Sequence, residues 1–571
     1  MPNQVSSNAA HAAMEVARRA GVTAVFGNPG TTELPLMQAL GDQGGVQYFL
    51  GLQECVATGM AFGYAAASGK LALVMLHAVP GIANGLAHYY NAYRNRLPVL
   101  LISGQQDRRH QYLDPILYGD LERMARPFAK WAWEARSAEE IPDVMRRAIS
   151  EATCAPTGPT FLSLPLDLQL AHLDDADTTP PRPPALGAAD GAATAQAAQM
   201  LLRAKRPALV AGDLVGRSRA AGALVELAEA GGMAAYWEPM SLSCNFPTTH
   251  PNFQGVLFPS GEDFRRVLRE HDVVLWCGAD LRTALLYDGS RWHDADCSVI
   301  VHSDSGFGID AGFAPSLQLI GDPGASYAAL VAALRAQLRT QLEPEMHAAV
   351  AQRNQELAQA SAERRSRLRA AAVKRADQAP LAAVSVVCQV MDALPERCIV
   401  VDDAVSNSGW VSMCGDYADC ESYFGPSKGG GIGMGMAAAL GVKIAQPERP
   451  VLAFVGDGAA MYSIQSLWSA ARYRLPVVFV ILNNSSYRIL KGGVLTMFGD
   501  QLEAEQIERV PGFDITHPEI DFVACASSMG VQGVRVDTLD ALRQAVTAAF
   551  ASGQPWVIDV AVERAARKVL K

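Results

Sequence analysis

Val455-Gly456-Asp457-Gly458 opens a segment that closes at Asn483-Asn484. Between them lie Ala459-Ala460-Met461-Tyr462, an amphipathic stretch over 463–474, and Leu475-Pro476-Val477-Val478-Phe479-Val480-Ile481-Leu482. Val451 to Val455 and Val477 to Leu482 are short, apolar, β-branched runs, and the stretch between them has helical length and polarity. The spacing therefore predicts two buried strands flanking one helix, the βαβ crossover of a parallel sheet. Both polar motifs then fall at strand C-terminal ends, the edge where open α/β sheets bind ligands and helix N-termini turn free N–H groups toward anions. Asp457 offers a carboxylate oxygen there and Asn484 an amide oxygen. Hard oxygen ligands of this kind suit Mg²⁺ or Ca²⁺, with diphosphate oxygens completing the shell. Gly-Asp-Gly alone is a common turn; its coupling to Asn-Asn at two expected strand ends points to a metal-held diphosphate.

A chain of 571 residues is too long for one core, and length alone suggests about three or four domains. Half of the residues are hydrophobic, 19% are charged and the formal net charge is −10. With no large Lys/Arg cluster, a nucleic-acid groove or an anionic membrane surface is not expected. The ten cysteines are scattered without a Cys-x-x-Cys pair, so neither a zinc site nor a redox motif is signalled. Met1 to Ala13 lacks a basic segment followed by an apolar core, and no run of about 18 apolar residues occurs. A cytoplasmic enzyme is the expectation.

Along the chain, Ser7 onward has helical spacing, and Val22 to Phe26 reads as a strand ending in Gly27-Asn28-Pro29-Gly30-Thr31-Thr32-Glu33. Tyr48 to Leu52 then enters a helix through Gln53-Glu54, which places Glu54 at a helix start in an apolar neighbourhood, where a charged carboxylate needs a partner. Lys70 to Leu76 is a buried strand with His77 at its tip, followed by a glycine-bearing loop; Leu97 to Ser103 and Pro159 to Leu164 are further strands. This first unit spans 1–172. Residues 173–195, acidic and then proline-rich, read as a linker. A second α/β unit over 196–340 has strands at Pro207 to Ala211, Val273 to Cys277 and Val299 to His302; its Gly212-Asp213-Leu214-Val215-Gly216 is taken as structural. Residues 341–378 form a charged helical connector, and the third unit, 379–571, runs from Cys398 to Val401, through Asp402-Asp403-Ala404-Val405-Ser406-Asn407 and the glycine cluster Gly429-Gly430-Gly431-Ile432-Gly433, to Trp556 to Val560. The expected fold class is α/β, with three doubly wound parallel-sheet domains. Small residues in the glycine cluster permit either tight helix packing or close approach of a ligand.

Taken in order, Gly27 to Pro35, Gln53-Glu54, His77 to Gly85, Gly430 to Gly435 and Gly456 to Ser486 resemble the thiamin-diphosphate-dependent 2-oxo acid decarboxylase family, most nearly its benzoylformate decarboxylase branch. The resemblance covers almost the whole chain. It implies pyrimidine-binding, middle and diphosphate-binding domains, with active sites at the interface of a homodimer or homotetramer. It implies metal ligands at Asp457, Asn484 and the Ser486 carbonyl, and contacts to the cofactor from Asn28, Pro29, Ser406, Asn407, Gly458, Ala459 and Tyr487. By the same likeness Glu54 would hydrogen-bond N1′ of the aminopyrimidine and activate the cofactor. The Gly430 carbonyl would accept from the 4′-amino group, and Ile432 would bend the cofactor. Thr31 takes the place of a serine that meets the substrate carboxylate, and His77 that of a proton-relay histidine. The family's second relay histidine has no counterpart: Leu285, within Asp280 to Asp288, or its neighbour stands there. The segment after Tyr487 also departs from the relatives.

The expected function is thiamin diphosphate- and Mg²⁺-dependent decarboxylation of an aromatic or bulky 2-oxo acid to an aldehyde. A carboligase or carbon–carbon lyase using an aldehyde acceptor, or an acetolactate-synthase-like enzyme, is the alternative. From another class, a non-catalytic cofactor-binding regulatory subunit would require neither Glu54 nor His77.

Overall fold

The computed structural model describes residues 8–280, 296–306, 314–340, 344–499, 501–502, 506–507 and 509–566. Three six-stranded sheets follow one another along the chain, and every strand pair within them is parallel. The first contains β1 (Ala24–Asn28), β2 (Gln47–Leu50), β3 (Ala72–His77), β4 (Val99–Gln105), β5 (Trp131–Glu134) and β6 (Thr160–Pro165), in the order β2-β1-β3-β4-β6-β5. The second contains β7 (Pro207–Ala211), β8 (Ala234–Trp237), β9 (Phe253–Val256), β10 (Val273–Cys277), β11 (Ser298–Ser303) and β12 (Leu317–Ile320), ordered β12-β11-β10-β7-β8-β9. The third contains β13 (Ile399–Asp403), β14 (Tyr423–Phe424), β15 (Val451–Gly456), β16 (Val477–Asn483), β17 (Gln532–Val536) and β18 (Trp556–Ala561), ordered β14-β13-β15-β16-β18-β17.

The first and third sheets share one topology, with the order reversing between β1 and β3 and again between β13 and β15. At such a switch point the outgoing loops diverge to opposite faces and leave a crevice at the carboxyl edge. Register places Asn28 beside Leu76, next to His77, at the first crevice and Asp403 beside Val455 at the third. The strands here are apolar on both faces because helices cover both: all seven residues of β16 are buried, as a parallel sheet requires.

Several boundaries differ from the sequence reading. The crossover between β15 and β16 holds two short helices, Asp457–Ala460 and Ser466–Arg472, rather than one. Asp190 accepts a hydrogen bond from the Ala193 N–H, and this N-cap starts a helix at Gly191, inside the stretch read as linker. Within 341–378, the stretch read as a helical connector, Pro344–Lys374 form one long helix.

Helices Glu54–Ser68 and Met434–Ala445 join the first and third units. A Cβ at Gly63 would lie 2.1 Å from the Ala438 carbonyl oxygen, and one at Gly441 would lie 1.9 Å from that of Met60. The small residues on both helices are thus explained by backbone approach, with Met60, Phe62, Met436 and Leu440 filling the apolar seam.

Candidate active site

The third sheet presents its oxygen donors on two loops that leave neighbouring strands. Gly456 pairs with Leu482 in register, so Asp457 and Asn484 emerge side by side. The buried Asp457 carboxylate accepts from the Gly458 N–H at 2.9 Å and the Ser486 N–H at 3.3 Å. Burial pushes its pKa up to about 6 against the pull of those N–H groups.

The two asparagines diverge. Asn483 turns into the sheet, donating to Asp559 at 3.0 Å and accepting from the Ser485 N–H at 3.1 Å. Ser485 has φ +51°, and past this left-handed residue Ser486 bonds through its hydroxyl to the Phe513 carbonyl at 2.9 Å. Asn484 Oδ1 is buried with no hydrogen-bond donor. Across the crevice Asn407 follows β13; its Oδ1 accepts from Arg488 at 3.2 Å, while its Nδ2 is buried without an acceptor.

Buried polar atoms are rarely left unpaired. An orphaned acceptor beside a buried carboxylate, together with an orphaned amide donor on Asn407, whose oxygen is held by Arg488 just past the same loop, is the complement of a cation bound to a phosphate oxygen. The residues present therefore fit a metal-held diphosphate.

Neighbouring positions keep this cradle open. A Cβ at Gly458 would meet the Tyr487 ring at 2.5 Å, so glycine lets the half-buried tyrosine lie over the loop. Ala459 is buried and its carbonyl accepts from the Tyr462 N–H at 3.1 Å. Ser406 sits half-buried in the turn before Asn407.

Gly430 has φ +70° and open space at its missing Cβ, whereas Gly431 is clamped by Asn91, whose Oδ1 accepts from the Gly431 N–H at 3.1 Å and whose Nδ2 donates to its carbonyl at 2.8 Å. Ile432 is half-buried. The cluster therefore divides: Gly430 borders open space, while Gly435, where a Cβ would lie 2.3 Å from that of Asp403, serves packing.

At the first sheet, His77 ends β3 and its Nδ1 lies 2.9 Å from Glu33 Oε2 and 3.0 Å from Thr32 Oγ1. Glu33 is fully buried; its carboxylate also accepts from Gly104 N–H at 2.6 Å, Gly30 N–H at 2.9 Å and Thr32 Oγ1 at 2.9 Å. The Glu33 hydrogen bond holds the His77 imidazolium above its ordinary pKa, against burial. Gly30 is required by the same ring, since a Cβ there would sit 2.1 Å from it.

Glu54 begins its helix as expected, but on a half-open rim rather than in apolar surroundings, and its Oε2 accepts from Asn84 Nδ2 at 3.0 Å. Asn28 Nδ2 donates to the Gly51 carbonyl at 2.9 Å, and Pro29 is half-buried. Thr31 is exposed, and it is Thr32 that reaches His77.

The structure thus gathers Asp457, Gly458, Asn484, Ser486, Tyr487 and Asn407 at one crevice, and His77 and Glu54 at the other. Sequence reading passed over Glu33, Thr32, Asn84 and Arg488. A glutamate three residues after Gly30, the capping-box spacing, was the one available signal for Glu33. Leu285 lies outside the described residues.

Fold and site define a three-sheet α/β protein with ligand-binding edges on its first and third sheets. Residues 7–124, 194–330 and 403–560 match, in that order, the N-terminal TPP binding domain, the central domain and the C-terminal TPP binding domain of the thiamine pyrophosphate enzymes. The chain is 34% identical over 561 residues to benzoylformate decarboxylase of Pseudomonas aeruginosa, covering 96% of this chain and 98% of that protein. It is 26% identical to glyoxylate carboligase of Escherichia coli O157:H7, covering 97% of this chain and 93% of that one. Its structure is similar to that of the Rhodococcus jostii RHA1 thiamine diphosphate-dependent 4-hydroxybenzoylformate decarboxylase, with a TM-score of 0.84 and 28% identity over 98% of this chain and 99% of that one. The chain belongs to the thiamine pyrophosphate enzyme family. Among the described residues no helix is long and apolar enough to cross a membrane.

Proposed function

We propose that this protein decarboxylates an aromatic or bulky apolar 2-oxo acid to the aldehyde, using thiamin diphosphate and Mg²⁺. The observation that carries the reading is the buried Glu33 carboxylate bonded to His77 at the tip of β3, with Glu54 on the helix that opens beside it. Diphosphate binding alone needs no histidine bonded to a buried carboxylate, so a non-catalytic subunit is disfavoured. Similarity to benzoylformate decarboxylase supports the substrate class.

Asp457, Asn484 Oδ1 and the Ser486 carbonyl would hold the cation, with Ca²⁺ an admissible substitute. Asn407 Nδ2, turned by Arg488, would donate to a phosphate oxygen, and Ser406 and Tyr487 would line the same cradle. Bound thiamin diphosphate supplies the carbon nucleophile and the electron sink. Glu54, steadied by Asn84, would hold and pass the proton at N1′ of the aminopyrimidine. With Nδ1 of His77 engaged by Glu33 and Thr32, Nε2 is the atom that passes protons to and from the reacting substrate. Thr31, at the exposed mouth, is placed to meet the substrate carboxylate.

Met461, Tyr462, Leu490, Met497 and Phe498 are 39%, 52%, 46%, 58% and 48% exposed around the diphosphate half. Such an apolar rim fits coverage by a second copy, and we assign the working form as a dimer or a pair of dimers. A second reading, ligation of the same carbon to an aldehyde, is favoured by the missing second histidine, in whose place the family resemblance puts Leu285 or its neighbour, and by the likeness to glyoxylate carboligase.

Incubating the purified protein with cofactor, Mg²⁺ and a panel of 2-oxo acids, with and without acceptor aldehydes, separates the readings by product. Aldehyde from aromatic 2-oxo acids is expected. Hydroxyketone as the main product would give the ligase reading, and bound cofactor without turnover would return the protein to the regulatory class.

A further inference from the structure

Away from both crevices, two cysteines meet beneath a patch of arginines. Cys388 lies within helix Ala383–Asp392, and Cys414 is the last residue of helix Ser408–Cys414, which packs against it. Both half-buried side chains rest on the same small apolar cluster of Ala372, Ala382 and Val384. Both also line one solvent-open cleft, with Arg364, Arg365 and Arg369 around them.

The cations are not equivalent. Arg365 pairs with Asp416 at 2.8 Å and Arg369 with Asp392 at 3.1 Å. Arg364 has no carboxylate partner among the described residues: its guanidinium lies 5.1 Å over the Phe253 ring and its Nε is buried without an acceptor. We infer that Cys388 and Cys414 form a redox-active dithiol, which a hydroperoxide converts into a reversible disulfide.

Most cysteines of this chain are packing residues. Burial pushes the thiols of Cys55 and Cys420 up to about 11 and that of Cys398 up to about 12, leaving them inert at neutral pH. Cys388 goes the other way, lowered first by a hydrogen bond from the Cys414 thiol and then by the Arg369 charge; Cys414 is raised in return. Both side chains line the one cleft together with Arg369, which makes Cys388 the attacking thiolate and Cys414 the resolving thiol.

In the first step the Cys388 thiolate attacks one peroxide oxygen. The O–O bond breaks, the leaving oxygen takes a proton, and Cys388 becomes a sulfenic acid. Cys414 sulfur then attacks the Cys388 sulfur, the S–O bond breaks, and the departing hydroxide takes the Cys414 proton to leave as water. Two thiols supply two electrons, and the peroxide is reduced to water and, where it carries a substituent, the alcohol. A thiol reductant reverses the change.

This inference is independent of the reaction proposed above. The test treats the full-length protein, with and without thiamin diphosphate and Mg²⁺, with hydrogen peroxide, and follows intact mass and peptide maps. The expected result is loss of two hydrogens, a Cys388–Cys414 cross-linked peptide, and recovery of both thiols with dithiothreitol. Cys414→Ser should trap a sulfenic acid at Cys388 that dimedone labels, and Cys388→Ser should leave Cys414 unreactive. Cys388 should react at least about tenfold faster than the half-exposed Cys525 of the same chain, because the Arg369 charge favours the Cys388 thiolate. Oxidation of Cys388 at the rate of Cys525, or a cross-link between other cysteines in its place, would overturn the inference.

Discussion

Asn483 and Asn484 are adjacent and chemically identical, yet their environments give them opposite duties. Asn483 partners a buried carboxylate, Asp559, and removing its amide strands that charge with only Arg535 at 3.8 Å. Asn483→Ala should thus cost about 1–3 kcal/mol of stability in urea denaturation and leave cofactor affinity unchanged per folded molecule. Asn484→Ala removes an acceptor with no partner in the protein. It should be neutral or slightly stabilising without cofactor and weaken thiamin diphosphate binding at limiting Mg²⁺ by about tenfold or more, a loss of roughly 1.4 kcal/mol. Equal cofactor affinity in the parent and Asn484→Ala, measured by calorimetry, would remove Asn484 from the cation's shell.

The Glu33–His77 contact is the second residue-scale case. The carboxylate raises the folded pKa of His77, so the bond's contribution is fully present below the ordinary histidine pKa and is lost as pH rises through the raised value. In Glu33→Gln, the imidazole resonances of His77 should titrate at lower pH than in the parent. An unmoved titration would mean that the charge of Glu33 is not what holds the proton.

At the scale of elements, the crossing of Glu54–Ser68 with Met434–Ala445 fixes the frame on which Glu54 and the glycine loop both ride. A methyl at Gly63 has nowhere to go but into the Ala438 backbone at 2.1 Å. Gly63→Ala should therefore force the helices apart and destabilise by about 1–3 kcal/mol. Gly41 offers the internal control, because it lies in helix Leu34–Gln43 with nothing within 4 Å of its missing Cβ. Gly41→Ala should instead stabilise by about 0.5–1 kcal/mol, the ordinary helix-propensity difference. Unfolding midpoints that shift the same way in both variants would contradict the close-packed crossing.

For the whole molecule, buried titratable groups set how the cofactor-free protein responds to pH. Burial pushes Asp402 up to about 6 and Asp403 up to about 7. Each binds a proton in the folded state that the unfolded chain lacks, so stability grows as pH falls through those values. His77, raised, acts in the same direction. Burial lowers His88 and His302 to about 4, so below the ordinary histidine value of 6.5 the unfolded chain takes up protons that the folded one refuses. Above pH 6.5 the histidine contribution fades while the raised carboxylates still ionise, so the thermal midpoint should fall from about pH 6.5 to pH 8. A midpoint that climbed steadily across that range would refute this balance. Asp403→Asn, which removes one ionisation, should raise the midpoint more at pH 8 than at pH 5.5, because the parent's penalty for this group shrinks as pH falls toward the ordinary aspartate value of 3.8.

Apolar runs alternating with amphipathic stretches were enough to place the parallel sheets, because burial on both faces of a strand is a local property written into consecutive residues such as Val477 to Leu482. The same runs put Asp457, Asn484, Ser406 and His77 at strand ends, since polar residues that interrupt an apolar strand mark where it leaves the core. Pairings between distant segments were not legible: Glu33 with His77, Asn84 with Glu54, Arg488 with Asn407, Asn91 with Gly431, and Cys388 with Cys414. So too the choice between Asn483 and Asn484, and between Thr31 and Thr32, turned on which way a loop residue faces after a left-handed or 3₁₀ turn. Local patterning decides which residues are buried and in what element, whereas the partner of a buried polar group depends on how elements far apart in the chain pack, and only the tertiary structure holds that information.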